Sequence, residues 1–270
     1  MEHRYERWTT AELAAAGSLV GGAVAVLPIA AIEQHGAHLP LGTDALLADA
    51  MVELVISRLA EEVPALFLPT LRIGASLEHT HFPGTLSQDW PAMVNSIVGV
   101  GEGLWRAGFR RVVIVSAHGG NTPAMDAAAL ELRARHGFLC ATGSWLRFGY
   151  PEGLLPEAEI ATGIHGGAVE TSLMLHFHPD LVRREAIADR PSLQSDLARE
   201  ATHLRAHGRL GFGWMADDLN PAGVVGDARL ATAAIGAAIA AHQADGFVAF
   251  LQDVLAFDLQ RLSAAPSPKP

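Results

Sequence analysis

The sequence predicts an α/β protein built on a mainly parallel sheet flanked by helices. Residues 23–29, 65–69, 111–115 and 138–142 form short, nearly continuous apolar runs, the pattern of strands covered on both faces. Helix-forming stretches with recognisable start and stop signals alternate with them. Imidazoles and carboxylates crowd the glycine-rich segments directly after the first and third runs. In an open parallel sheet those segments leave the carboxyl edge, where ligands gather.

Taken in order, Thr9 to Glu12 has the form of a capping box opening a short helix that stops near Gly17. The strand over 23–29 runs into Glu33-Gln34-His35-Gly36-Ala37-His38, and Asp44 stands where a helix to about Ala60 begins. A strand over 65–69 leads to a loop carrying Ser76, His79 and His81. Trp90-Pro91 opens a helix that Gly108 closes. The strand over 111–115 leads to His118-Gly119-Gly120-Asn121, and a helix from Asn121 ends at Gly137. After the strand over 138–142 and Trp145 the pattern loosens. Residues 150–163 read as a long loop, a candidate lid, and 166–177 as a helix ended before Pro179. Residues 210–227 are glycine-rich, 228–259 are an alanine-rich helical region, and 263–270 are a disordered tail. The expectation is a single domain over 1–262.

The chain has 270 residues, half of them hydrophobic, 18% charged, with a formal charge of −10. That balance supports a large core and disfavours nucleic acid or an anionic membrane as partner. One cysteine, Cys140, rules out an internal disulfide framework, and with a charged, polar start points to a cytoplasmic protein. The apolar stretch 231–241 is too short to span a bilayer and is interrupted by His242, Gln243 and Asp245.

Glu33 and His35 are two residues apart, so in an extended segment both side chains point the same way. Asp44 has two carboxylate oxygens able to bridge two cations, or to cap its helix. His118 arrives from another strand, and Glu170 reaches in from a helix. Three carboxylates and two imidazoles suffice for a two-metal centre, in which ions roughly 3.5–4 Å apart activate a bridging water and polarise a carbonyl. Hydrolysis of an amide follows from that chemistry. Ser116 lacks a nucleophile-elbow glycine pattern, and no Arg/Lys cluster near the motifs holds a phosphate.

The segments Glu33-Gln-His-Gly-x-His-Leu-Pro-x-x-Thr-Asp44, His118-Gly-Gly-Asn121 and His165-Gly-Gly-x-x-Glu170-Thr171-Ser172 resemble the creatininase (creatinine amidohydrolase) family over residues 20 to 180. The resemblance implies a creatininase-like three-layer α/β/α sandwich and a homo-oligomer, commonly a hexamer. It implies two divalent ions per chain, Zn²⁺ first, with Mn²⁺ or Fe²⁺ as alternatives. Glu33 and His118 would serve one ion and His35 the other, with Asp44 bridging and Glu170 completing the second site. His165 would be the general acid/base or would orient a ligand. Ser76 and Trp145 are candidate contacts to a small-molecule amide substrate. Creatinine-hydrolysing members carry a glutamate where this chain has Gly120, so creatinine is a doubtful substrate and Glu170 is expected to stand in. Other members deformylate a biosynthetic intermediate or trim a modified peptide, and a non-catalytic metal- or metabolite-binding scaffold is the remaining alternative.

Overall fold

The computed structural model describes residues 1–263. Thr9 caps α1 (Thr10–Ala15), its hydroxyl accepting from the Glu12 backbone N–H while the Glu12 carboxylate reaches back, which is the reciprocal pairing expected from the sequence. A second short helix, α2 (Gly17–Gly22), leads into β1 (Val24–Ile29). Then come α3 (Thr43–Arg58), β2 (Ala65–Phe67), α4 (Trp90–Ala107), β3 (Arg111–Ser116), α5 (Thr122–His136) and β4 (Leu139–Ser144). The four strands make one parallel sheet in the order β2-β1-β3-β4.

Each strand feeds both faces, which is why its sequence is apolar throughout rather than alternating. Val24, Val26, Val113 and Val115 face a core built with α3 and the later helices α7 (Ala168–Phe177) and α10 (Ala233–Ala256). Ala25, Leu27, Ile29, Val112 and Ile114 face the opposite core, with Met93 and Ile97 of α4 and Ala128 and Leu132 of α5. The result is a three-layer α/β/α sandwich.

Between β4 and α10 the chain makes an excursion with only short elements: α6 (Glu157–Thr162), then α7, β5 (Asp189–Arg190), α8 (Leu193–Glu200), α9 (Ala216–Leu219) and β6 (Gly226–Asp227). The stretch 150–163 is therefore not one loop. Glu157 and Glu159 favour the N-terminal turn of α6. Buried Glu159 accepts backbone N–H bonds from Ala168 (2.8 Å) and Asp227 (2.9 Å), joining α6, the start of α7 and β6.

The alanine-rich region 228–259 is helical as expected, but the expectation that its apolar part is too short to span a bilayer is corrected. The helix continues unbroken to Ala256, and by length and composition it could cross a membrane. Here it is a core helix. Gln243 is buried, Asp245 pairs with Arg58 on α3, and Ile239, Ala240, Phe247 and Leu251 enter the core. Of the tail expected over 263–270, all but Ser263 lies outside the described residues.

Candidate metal centre

Five side chains from four separate stretches of the sequence converge beyond the carboxyl edge of β1 and β3. Glu33 and His35 lie on the segment leaving β1, Asp44 is in the first turn of α3, His118 follows β3, and Glu170 is in the first turn of α7. Asp44 turns one oxygen to each imidazole: Oδ1 is 3.2 Å from His35 Nε2 and Oδ2 is 3.7 Å from His118 Nδ1. Glu33 Oε1 lies 3.2 Å from His118 Nδ1 and 4.0 Å from His35 Nε2, and Glu170 Oε2 lies 3.8 Å from His35 Nε2. The carboxylate of Asp44 thus stands between a Glu33–His118 side and a His35–Glu170 side.

Backbone contacts aim these groups. His35 Nδ1 lies 3.2 Å from the Glu33 carbonyl, leaving Nε2 to face Asp44. His118 Nε2 lies 3.1 Å from the Ala75 carbonyl, leaving Nδ1 to face Glu33 and Asp44. The fully buried Asn121 donates to the Ala30 carbonyl (3.0 Å) and to Ser116 Oγ (3.2 Å), and accepts from the Ala75 N–H (2.9 Å). One amide therefore clamps the exits of β1 and β3 to the loop after β2. His38 Nε2 sits 3.0 Å from the Gly166 carbonyl and 2.9 Å from Thr171 Oγ1, tying the first motif to α7.

Glu33 Oε1, His35 Nε2 and Asp44 Oδ2 are buried without a hydrogen-bond partner. Leaving three such atoms unpaired in one place is costly. A cation relieves all three at once, and Glu33, His35 and Asp44 lie close enough to share one. Two further sets meet the same test: Glu33–His79–His165 and His35–His165–Glu170. Nitrogen and carboxylate donors in this mixture suit zinc, manganese or ferrous iron.

Without a cation, protons take over its role. Burial disfavours charge on His35, but Asp44, Glu170 and Glu33 outweigh it and raise its pKa to about 10. Burial likewise opposes charge on His118, and Glu33, Asp44 and Glu78 raise it to about 10. Burial pushes Glu170 up to about 7, against the pull of His35. Glu33 is held well below its usual range despite burial, by His118, His79 and His165.

Other predicted residues are placed differently. His165 reaches the centre, with Nδ1 3.7 Å from Glu33 Oε1, and burial holds its imidazole neutral. Ser76 is fully buried and its hydroxyl donates to Glu33 Oε2, so it orients that carboxylate rather than lining open space. Trp145 sits in the core, its ring 4.7 Å from that of Phe247. Beside His165 and Glu170 lies a small crevice, lined also by Leu146, Tyr150, Ile164 and Val169.

Three participants lie outside the five expected ligands. His79 Nε2 is 3.5 Å from Glu33 Oε1, Glu78 Oε1 is 3.4 Å from His118 Nε2, and Gln34 is buried among His79, His165 and Gly223. Glu78 also explains Gly120: a Cβ there would lie 2.2 Å from Glu78 Oε1 and from His118 Nε2. The space beside His118 is therefore filled by a carboxylate from the loop after β2. The only sequence signal was the run Ser76-Leu-Glu-His79 among glycines.

Comparisons with known proteins agree with this architecture. A family model described as "Creatininase: Creatinine amidohydrolase" matches residues 6–251. A creatinine amidohydrolase of Pseudomonas putida is 35% identical over 187 residues, covering 63% of this chain and 70% of that protein. A mycofactocin precursor peptide peptidase of Mycobacterium tuberculosis is 34% identical over 231 residues, covering 83% and 82%. A solved creatininase in a manganese form superposes with TM-score 0.73 at 27% identity, covering 95% of this chain and 100% of that one. A variant creatininase of Zn–Zn type gives 0.72 at 28%, with the same coverage.

Proposed function

The chain belongs to the creatininase family, and we propose that it is a two-metal amidohydrolase that cleaves a C–N bond in a small cyclic or linear amide. The observation that carries this reading is the convergence of three buried, unpartnered donor atoms, Glu33 Oε1, His35 Nε2 and Asp44 Oδ2, on one volume. Glu33 and His118 would hold one ion, His35 and Glu170 the other, with Asp44 between them. When bound, a pair of divalent ions supplies a water activated near neutral pH and polarises the amide carbonyl. The solved relatives with manganese and with two zincs support that cofactor choice.

The protein's own residues do the rest. Substrate would approach beside Glu170 and His165, where Tyr150, Ile164 and Val169 line a small crevice. His165, neutral and buried, is placed to take and return the proton that the leaving nitrogen needs. A second reading, a peptidase acting near a peptide end, is favoured by the longer stretch shared with the mycofactocin precursor peptide peptidase than with the creatinine amidohydrolase. We further propose a cytoplasmic homo-oligomer. Exposed Leu41, Ile73, Leu77 and Leu86, with Trp90 at the start of α4, support the assembly, which the mass measured by sedimentation would test.

The deciding experiment measures metal per chain, then screens lactams, formamides and short peptides with Zn²⁺ and Mn²⁺ before and after chelation. About two equivalents of metal with chelator-sensitive hydrolysis is expected. Tight metal without turnover of any amide or peptide would instead identify a binding scaffold.

A further inference from the structure

Gln34 lies inside the first motif and is 5% exposed, with its amide against His79 and His165. Its Oε1 accepts the Gly36 N–H at 2.9 Å, and its Nε2 donates to the Gly223 carbonyl at 2.7 Å. A backbone N–H only donates and a carbonyl only accepts, so these two partners fix which end of the amide is nitrogen. Gly223 lets the contact form: a Cβ there would lie 2.5 Å from Gln34 Oε1.

The remaining N–H of that amide has two imidazole nitrogens in reach, His79 Nδ1 at 2.9 Å and His165 Nε2 at 3.1 Å. The latter is committed as a donor to the Gln34 backbone carbonyl at 2.7 Å, so the N–H goes to His79 Nδ1. An N–H cannot accept, so Nδ1 of His79 carries no proton and the ring's hydrogen is on Nε2. That Nε2 is the atom facing Glu33 Oε1. For His165, Nε2 lies 2.7 Å from the backbone carbonyl of the same Gln34. Only a protonated Nε2 satisfies that carbonyl, so the Nδ1 that faces Glu33 is bare. The two rings lie against each other, tilted by 31° with centroids 4.2 Å apart. They are the same tautomer presented to the centre by opposite ends.

We propose that Gln34 is a positioning residue that fixes His79 and His165 as Nε2–H imidazoles, so that the centre is faced by one N–H donor, from His79, and one bare nitrogen, from His165. This narrows the metal geometry. His79 cannot ligate through an Nε2 that carries hydrogen, so Glu33–His79–His165 is not a cation site, whereas His165 Nδ1 is free to accept a proton or to ligate beside His35 and Glu170. His79 Nε2–H is instead a donor available to a substrate oxygen. The catalytic consequence rests on the hydrolase reading above; the protonation assignment does not.

The test uses the full-length, zinc-loaded protein with ¹⁵N-labelled histidine, in which two-bond ¹H–¹⁵N correlations report which nitrogen of each ring holds hydrogen. The expected wild-type spectrum shows Nε2–H for both His79 and His165. Q34E places acceptors against His79 Nδ1, so His79 should move its proton to Nδ1 while His165, held by the backbone, stays unchanged. Metal per chain and KM should hold, and kcat should fall roughly 10–100-fold. A wild-type His79 protonated on Nδ1 would overturn the proposal even if the variant fails to fold, as would a His79 signal indifferent to Q34E. The expected spectra with no hydrolysis of any amide or peptide would sink the hydrolase reading and leave the assignment standing.

Discussion

The site has two halves that are held in different ways. Glu33, His35, Asp44 and His118 come from strand ends and the first turn of α3, and each is at most 5% exposed. Asn121 binds their supporting segments together. The other half comes from the excursion between β4 and α10, where strands are two residues long and Glu170, Tyr150 and Ile164 border the crevice. Its ties are side chains such as Glu159 and His38 rather than a sheet. Cation chemistry needs donor atoms fixed within tenths of an ångström, which the parallel sheet supplies. Substrate choice needs a wall that can vary without disturbing those atoms, which the irregular segment supplies.

Substitutions should separate the halves. Glu33→Ala or His118→Ala should bring hydrolysis to background and lower metal content by elemental analysis. A metal-depleted Glu33→Ala protein with normal activity would refute the mechanism. His165→Ala, from the other half, should keep its metal while kcat falls roughly 10²–10⁴-fold. Loss of metal in that variant would make His165 a ligand. Ile164→Ala in the crevice should change relative kcat/KM between substrates that differ by one methylene by about 10-fold, with metal content constant. An unchanged ratio would place the substrate elsewhere.

Glu159→Ala leaves the Ala168 and Asp227 N–H groups without their partner, at a cost of about 2 kcal/mol. Calorimetry should record the loss with metal still bound. The smallest effect is graded with pH. His35 and His118 have folded pKa values of about 10, above the ordinary 6.5. Their contribution to the metal-free fold is therefore fully present below pH 6.5 and is lost as pH rises towards 10. Metal must displace those protons, so loading should release acid and tighten with rising pH. Calorimetry in buffers of different ionisation enthalpy would show proton release, and its absence would contradict the shifts.

Much of this was legible beforehand because the relevant physics is local. Buried strands announce themselves by unbroken apolar runs, and all four lie within a few residues of where the runs placed them. Gly108 and Gly137 ended α4 and α5 as expected, both at positive φ. Glu33 and His35 share a direction because they are two apart, Asp44, His118 and Glu170 stood out as donors at helix starts and a strand end, and the motif resemblance divided these five between two ions. Glu78, the contact of His79 with Glu33 and the orientation of Gln34 were not legible, although His79 stood out on the loop after the second strand. They depend on the loop after β2 folding back across the sheet edge, and no spacing encodes that. Ser76 and Trp145 were expected at substrate, yet one hydroxyl is committed to Glu33 and one indole is packed on Phe247.

The sequence alone determined the alternation of strands and helices, the parallel sheet and the identity of the donors, since each follows from short-range pattern or from residue chemistry. The tertiary structure alone decided which atom of each donor faces the centre, that Glu78 fills the space Gly120 leaves, and that the alanine-rich helix belongs to the core. Those outcomes depend on contacts between residues tens of positions apart, and burial makes each contact matter: away from water, a misdirected polar atom has nothing else to bind.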